Sequence, residues 1–109
     1  MAHIRRMDQL SGQSGTGWTR TDLADPGSRH GLPMRAERWR LEASISRPLE
    51  AAGDETMLYV IAGTGTIRIG DTTYEIEPES VVWLTAGDRI SVTAGADGLE
   101  ILMGTAGPR

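Results

Sequence analysis

Few side chains of this chain could move a proton, and Glu37 is the best placed of them. Glu37 alternates with Trp39 and Leu41, so the three side chains share one face of a predicted strand. A carboxylic acid buried on such a face can act as a general acid or base near neutral pH. The alternative is a rim position in which Glu37 pairs with a neighbouring arginine. His30, in a loop before the same strand, is the second catalytic candidate, or else an exposed side chain.

Aromatic side chains and overall charge limit the kinds of partner. Trp39 and Trp83 lie on predicted strands and could stack on a flat ligand, or else fill the core or a dimer interface. The chain has no cysteine, which excludes disulfides, thiolate metal sites and cysteine nucleophiles. Its net charge is −4 and its sequence contains no block of basic residues, so neither nucleic acid nor a membrane surface is an expected partner. Residues 1–10 hold no apolar run, so we expect no signal peptide and a cytoplasmic location.

The elements that must position these residues are predicted to be strands joined by short turns. Residues 34–45 alternate with period two and are bracketed by Pro33 and Pro48, with a loop following over 46–55. Further strands are predicted over residues 56–61, 66–69, 72–76, 81–84, 90–93 and 99–103. The hairpin of residues 66–76 is expected to bury Ile67, Ile69, Tyr74 and Ile76. Turns about 8–12 residues apart indicate an all-β sandwich or barrel, and no segment reads as a helix.

The 109 residues are predicted to form one domain with an arm. Residues 1–33 form a partly flexible N-terminal arm in this interpretation, and residues 34–109 form the barrel. The run SGQSGTG over residues 11–17 is small, polar and rich in glycine, which favours a flexible linker. Trp18 and Leu23 could anchor the arm on the barrel.

Two segments resemble the motifs of the cupin family. The run YVIAGTG over residues 59–65 is similar to the end of the first cupin motif, and IEPESVVWLTAG over residues 76–87 is similar to the approach to the second. The resemblance covers roughly residues 38–103. It implies a double-stranded β-helix, or jelly-roll, barrel, in which family members hold a metal ion with three histidines and one glutamate.

The metal ligands of the family are not found at the matching positions of this chain. If Gly63 closes the first motif, the glutamate position falls on Thr56 and the histidine of the second motif falls on Ile90. The two remaining histidine positions fall on Glu50 and Ala52, or on Leu49 and Ala51. These residues lack imidazole, so we expect no metal and no cofactor. The alternative is a magnesium or calcium site built on Asp54, Glu55 and Glu50.

A cupin barrel without metal still encloses an interior that can hold a small ligand. If the register holds, the interior is lined by Glu50, Ala52, Thr56, Leu58, Ile90 and Val92. The aromatic candidates Trp39 and Trp83 complete the predicted binding residues. Such a cavity would be mostly apolar. We therefore expect a metal-independent enzyme that isomerises, cyclises or dehydrates a small, largely apolar organic molecule, with secondary metabolism as the expected setting. The alternative functions are a non-catalytic module that binds or senses a small ligand, and a structural homodimer. A homodimer is expected in any case, because exposed sheet edges and apolar rings can be covered by a second copy.

Overall fold

A computed structural model describes residues 12–24, 34–50, 55–85 and 87–106, and every regular element in these ranges is a strand. The strands are β1 (Gly12–Gly15), β2 (Trp18–Ala24), β3 (Met34–Leu41), β4 (Ser46–Glu50), β5 (Glu55–Ile69), β6 (Thr72–Ile76), β7 (Val81–Thr85) and β8 (Arg89–Ala106). The prediction of an all-β jelly-roll is confirmed. Across the described ranges there is no helix that could cross a membrane.

All pairings are antiparallel, and they divide the strands into two layers that face each other. The first sheet has the order β1-β2-β3-β8-β5-β7 and uses the C-terminal half of β8 with the N-terminal half of β5. The second sheet has the order β4-β8-β5-β6 and uses the other halves of the same two strands. β5 and β8 therefore run through both layers and bend where they pass from one to the other.

The sequence predicts separate strands on either side of the glycines in β5 and β8, but β5 and β8 are each continuous and bend there. The register between the two strands shifts at Val60/Ala62 and again at Gly63/Gly65, so the glycines mark bulges within a continuous strand. Gly63 has a φ of 79°, and a Cβ atom there would overlap the carbonyl oxygen of Gly98 on β8. Glycine thus allows the two backbones to approach closely at this bulge. Composition alone does not distinguish such a glycine from one in a turn.

Two further segments differ from the expectation, because strand pairing overrides local composition. The predicted loop over residues 46–55 contains β4, in which Pro48 pairs with Ser91. Among the described strands β4 pairs with β8 alone, so it is an edge strand, and an edge strand tolerates proline. The predicted linker over residues 11–17 contains β1, which forms a hairpin with β2, and β2 in turn pairs with β3. The boundary at residues 33–34 between arm and barrel stays a prediction.

The core lies between the two sheets and is filled by aliphatic side chains. Leu58, Val60, Val92 and Ile101 are completely buried, and Ile67 is 1% exposed. They form one cluster with Trp39, Leu41, Leu49, Ile76, Leu84, Ile90, Ala94, Leu99 and Met103.

The hairpin residues behave as predicted with one exception. Ile67 and Ile76 are buried and Ile69 packs against the core. Tyr74 is 50% exposed, so its predicted core position is wrong. It lies on the short strand β6, and β6 pairs only with β5 within the described chain, so the outer edge of the second sheet does not enclose the ring.

Candidate functional site

Strand alternation brings polar side chains into the space between the sheets along β2, β3 and β4. In the first sheet Arg20 pairs with Trp39 and Asp22 pairs with Glu37, so all four side chains project from the same inner face. Arg47 pairs with the buried Val92 and projects from the second sheet toward them. The sequence WTRTDLA of β2 thus places every second residue beside the candidate residues of β3.

Two indole rings and a guanidinium form the inner part of this arrangement. The ring centroids of Trp18 and Trp39 are 5.5 Å apart, and the two planes are tilted by 32°. The guanidinium of Arg47 lies 4.2 Å from the Trp18 ring centroid and 5.9 Å from that of Trp39. Arg47 is therefore held by cation–π contact with both rings.

Carboxylates and a second arginine form the outer part. Arg20 Nε lies 3.0 Å from Asp22 Oδ1, and Arg20 Nη2 donates to Asp22 Oδ2 at 3.4 Å. Glu37 accepts a hydrogen bond from the indole N–H of Trp39 at 3.2 Å and lies 4.0 Å from Arg20 Nε. We call Trp18, Arg20, Asp22, Glu37, Trp39 and Arg47 the tryptophan–arginine cluster.

The tryptophan–arginine cluster faces the interior and is also reached by solvent. The side chains of Arg20, Asp22 and Glu37 are 23%, 28% and 13% exposed, whereas Trp39 is 6% exposed. The cluster therefore offers a solute both charge signs and an aromatic surface at the open edge of the core.

Sequence reasoning identified Glu37 and Trp39 but missed the other four members of the cluster. Trp18 was considered only as an anchor for the arm. The period-two placement of Trp18, Arg20 and Asp22 was the available signal. Arg47 gave no signal, because its segment was expected to be a loop.

The predicted interior residues lie in the packed core rather than around an open cavity. Thr56, Leu58 and Ile90 are 1%, 0% and 4% exposed, and the Thr56 hydroxyl lies 3.3 Å from that of Thr105. These positions face inward as the predicted register requires. A binding role for Thr56, Leu58 and Ile90 stays a prediction.

Three other predicted residues lie away from the cluster or outside the description. Trp83 is 70% exposed and pairs with Met57 on the outer face of the first sheet, so a stacking role inside the barrel does not fit its position. Glu50 ends β4 opposite Arg89, and its side chain lies outside the described part of the structure. His30 lies outside the described residues altogether.

The residues at the cupin ligand positions do not suit a metal ion. Leu49 and Ile90 are cross-strand partners with hydrocarbon side chains, both buried, and Thr56 offers a single hydroxyl. Glu55 is exposed, and Asp54 lies outside the described residues, as does the side chain of Glu50. Over the described ranges no three acidic, histidine or cysteine side chains cluster. Transition metals need nitrogen, sulfur or carboxylate donors, which the described ligand positions do not supply.

The sequence of the chain matches a known family model, and its structure is similar to several solved structures. The family model described as the AraC-like ligand binding domain matches residues 33–105. Ectoine synthase from P. lautus superposes with a TM-score of 0.80 at 15% identity, over 99% of this chain and 80% of that one. An RmlC-like cupin from Shewanella frigidimarina gives 0.77 at 11% identity, over 100% and 94%.

A longer protein shares the same fold. A deletion mutant of Bacillus subtilis oxalate decarboxylase superposes with a TM-score of 0.81 at 14% identity, over 99% of this chain but only 31% of that one. No curated protein sequence is a significant match to the chain. At these identities the structural likenesses establish the jelly-roll fold alone.

Proposed function

The chain belongs to the family of AraC-like ligand binding domains, which are cupins, and we propose from this membership that it binds a small organic molecule at the tryptophan–arginine cluster. The observation that supports the location is the convergence of Arg47, Glu37 and two indole rings at one solvent-reached edge of the core. Ligand sites combine apolar surface with a few oriented polar groups, and this cluster has both.

The character of the site changes the expected ligand. The interior positions predicted to form an apolar cavity are filled by packed side chains, whereas the accessible groups are charged. A ligand at the tryptophan–arginine cluster therefore needs polar groups, in contrast to the largely apolar molecule expected from the sequence.

A metal-independent enzyme remains the second candidate, and Glu37 is the observation that favours it. Its carboxylate is fixed by the Trp39 indole and lies at the solvent-reached edge, where it could exchange a proton with a bound substrate. Isomerisation, cyclisation or dehydration in a cytoplasmic biosynthetic route is the corresponding proposal. Binding without reaction is better supported, because the family model that matches the chain is that of a ligand binding domain.

Glu37→Gln tests the location of the binding site, which both candidates share. We expect ligand affinity to fall about tenfold to a hundredfold, because hydrogen bonds to a charged acceptor contribute roughly 1.5–3 kcal/mol. The measurement is calorimetric titration with a panel of neutral sugars, amino acids, amines and short carboxylates. Glu75→Gln is the matched control, since Glu75 is exposed on β6. Equal effects of the two changes would remove Glu37 from the site, and failure of every panel compound to bind would refute the proposed function.

We also propose that the chain works without a bound transition metal. Because Thr56 and Ile90 stand at two of the family's ligand positions, and neither alternative for the other two supplies an imidazole, purified protein is expected to carry less than roughly a tenth of an equivalent of iron, manganese, nickel or zinc. Elemental analysis by plasma mass spectrometry measures this directly. A content near one equivalent that survives dialysis against a chelator would contradict the proposal.

A homodimer formed through the outer face of the first sheet is the remaining proposal. Trp83 and Val81 are 70% and 46% exposed there. Two strands from Trp83, Gly104 contributes to an apolar cavity of about 260 Å³ that Tyr59 and Leu102 also line. A two-fold axis along β5 would seat Trp83 of each copy in the cavity of the other. The indoles and cavities would form the apolar centre of an interface that needs roughly 1,200 Å² in all.

Trp83→Ser is expected to weaken this dimer about a thousandfold, because it removes one central tryptophan from each copy and each contributes on the order of 2 kcal/mol to the interface. Sedimentation equilibrium over the micromolar range measures the change. Tyr74→Ser is the control, since it removes an exposed aromatic ring from the second sheet. A wild-type monomer at tens of micromolar would reject the homodimer.

A further inference from the structure

We propose that the molecule bound at the tryptophan–arginine cluster is a small organic carboxylate that carries a hydrogen-bond donor at its other end. Arg47 holds the carboxylate and Glu37 accepts from the donor. This identification rests on the proposed function and specifies its ligand class.

Arg47 is the group in the cluster whose charge is not matched. Its Nε atom is buried without a hydrogen-bond partner, and no carboxylate whose side chain the structure describes lies within 4.0 Å of it. A partly desolvated guanidinium is costly to leave unpaired, and the two tryptophan faces give it no hydrogen-bond acceptor. A carboxylate matches the planar fork of the guanidinium with two parallel hydrogen bonds.

The other charges of the cluster are placed differently. Arg20 Nε also lacks a hydrogen-bond partner, but it lies 3.0 Å from Asp22 Oδ1, so the Arg20 charge is already neutralised by its neighbour two residues away. Glu37 has one hydrogen bond, from Trp39, and a long 4.0 Å approach to Arg20 Nε. A carboxylate has about four acceptor sites, so Glu37 can accept further hydrogen bonds from a hydroxyl or an ammonium group.

The size of the ligand follows from the single indole that the two anchors share. Arg47 lies 5.9 Å from the ring centroid of Trp39, and Glu37 contacts the N–H edge of the same ring. A molecule that reaches both groups need only span about one indole. The cluster has two positive and two negative side chains, so an amino carboxylate would leave its net charge at zero, and the electrostatics favour an ammonium over a hydroxyl donor.

The experiment compares ligands that differ in one group. The probes are 4-aminobutyrate and 4-hydroxybutyrate, their neutral amides, and butyrate, which lacks the donor. Binding is followed by the indole N–H signals of Trp18 and Trp39 in nitrogen-15 correlation spectra of a Trp83→Phe protein, which removes the outer-face signal. We expect at least one donor-bearing carboxylate to bind tenfold or more tighter than its amide and than butyrate.

Variants separate the role of Arg47 from general charge effects. Arg47→Gln should abolish the preference for carboxylate over amide, Arg47→Lys should retain part of it, and Arg68→Gln should leave it unchanged, because exposed Arg68 donates to the Gly70 carbonyl. If Arg47→Gln does not fold, the comparison of carboxylate with amide in the parent protein still decides whether the ligand is a carboxylate. Three outcomes would overturn the ligand class while the proposed function stands. Amides could bind as tightly as carboxylates, butyrate could bind as tightly as the donor-bearing acids, or only neutral panel compounds could bind. If no probe and no panel compound binds, both fail.

Discussion

Gly63→Ala is expected to destabilise the fold by on the order of 3 kcal/mol or more, the upper range for a strained backbone position. Two costs add at this residue. The φ of 79° disfavours any side chain, and the new methyl group would overlap the Gly98 carbonyl oxygen and lie 3.0 Å from Leu99 Cα. Relief would require β5 and β8 to separate at their bend. Urea unfolding followed by circular dichroism measures the loss.

Gly70→Ala is the matched control for Gly63→Ala. Gly70 also has a positive φ, 60°, but a Cβ atom there would meet nothing within 4 Å. Its cost should be about 1–2 kcal/mol, from backbone conformation alone. If both changes cost the same, the contact between β5 and β8 at Gly63 is looser than the structure has it.

Leu58→Ala is expected to cost about 3–5 kcal/mol, which for a domain of this size can approach the whole free energy of unfolding. Leu58 is completely buried in the middle of β5, where the ladders to β7 and β8 flank it. The cavity left by truncation cannot collapse easily between two strands held on both sides. The denaturant midpoint should fall while the slope of the transition stays constant.

Met57→Ala is the control for Leu58→Ala, because the neighbouring residue points to the opposite face and is 36% exposed. Its cost should be about 1 kcal/mol or less in protein dilute enough to be monomeric, because the proposed dimer would cover Met57. A comparable loss from both substitutions would mean that the outer face of the first sheet is covered as fully as the core, as a tight homodimer would require. Repeating the pair at several protein concentrations distinguishes that case.

Periodicity was sufficient to predict the layer architecture and the inward direction of several side chains. Thr56 and Leu58 alternate with Met57 along β5, so one buried residue determines the orientation of its neighbours. The sequence leaves the first histidine position open between Glu50 and Leu49, and Leu49, which is buried, is the one that pairs across the strands with Ile90. These inferences need only local pattern and one family register.

Composition could not predict where glycine bends a strand and where it ends one. Gly63 and Gly98 fall between separate strands in the prediction, although each lies inside a long strand. The difference depends on the partner backbone that approaches the glycine, which no local window of sequence contains. The proline of β4 misled for a related reason, because only the edge position of the strand makes Pro48 acceptable.

The binding site was incompletely predicted because its members are distant in sequence. Trp18 and Arg47 are separated by 28 intervening residues, and their contact depends on β2 and β4 lying on opposite sheets. Glu37 and Trp39 could be found, since they alternate on one strand. The Arg47 charge acquires a functional meaning only when the buried Nε and the two rings around it are seen together.

The passage of β5 and β8 from one layer to the other has a mechanical consequence. The continuous strands β5 and β8 join the two layers at the bends near Gly63 and Gly98, so the layers are covalently connected at that end of the barrel. A change of angle at these bends would displace Thr56 and Ile90, at the far ends of the two strands, more than Leu99 beside the bend. Trp18 lies in the same row of strand pairs as Leu41 and Leu99, so the aromatic part of the tryptophan–arginine cluster is held where the two layers move least.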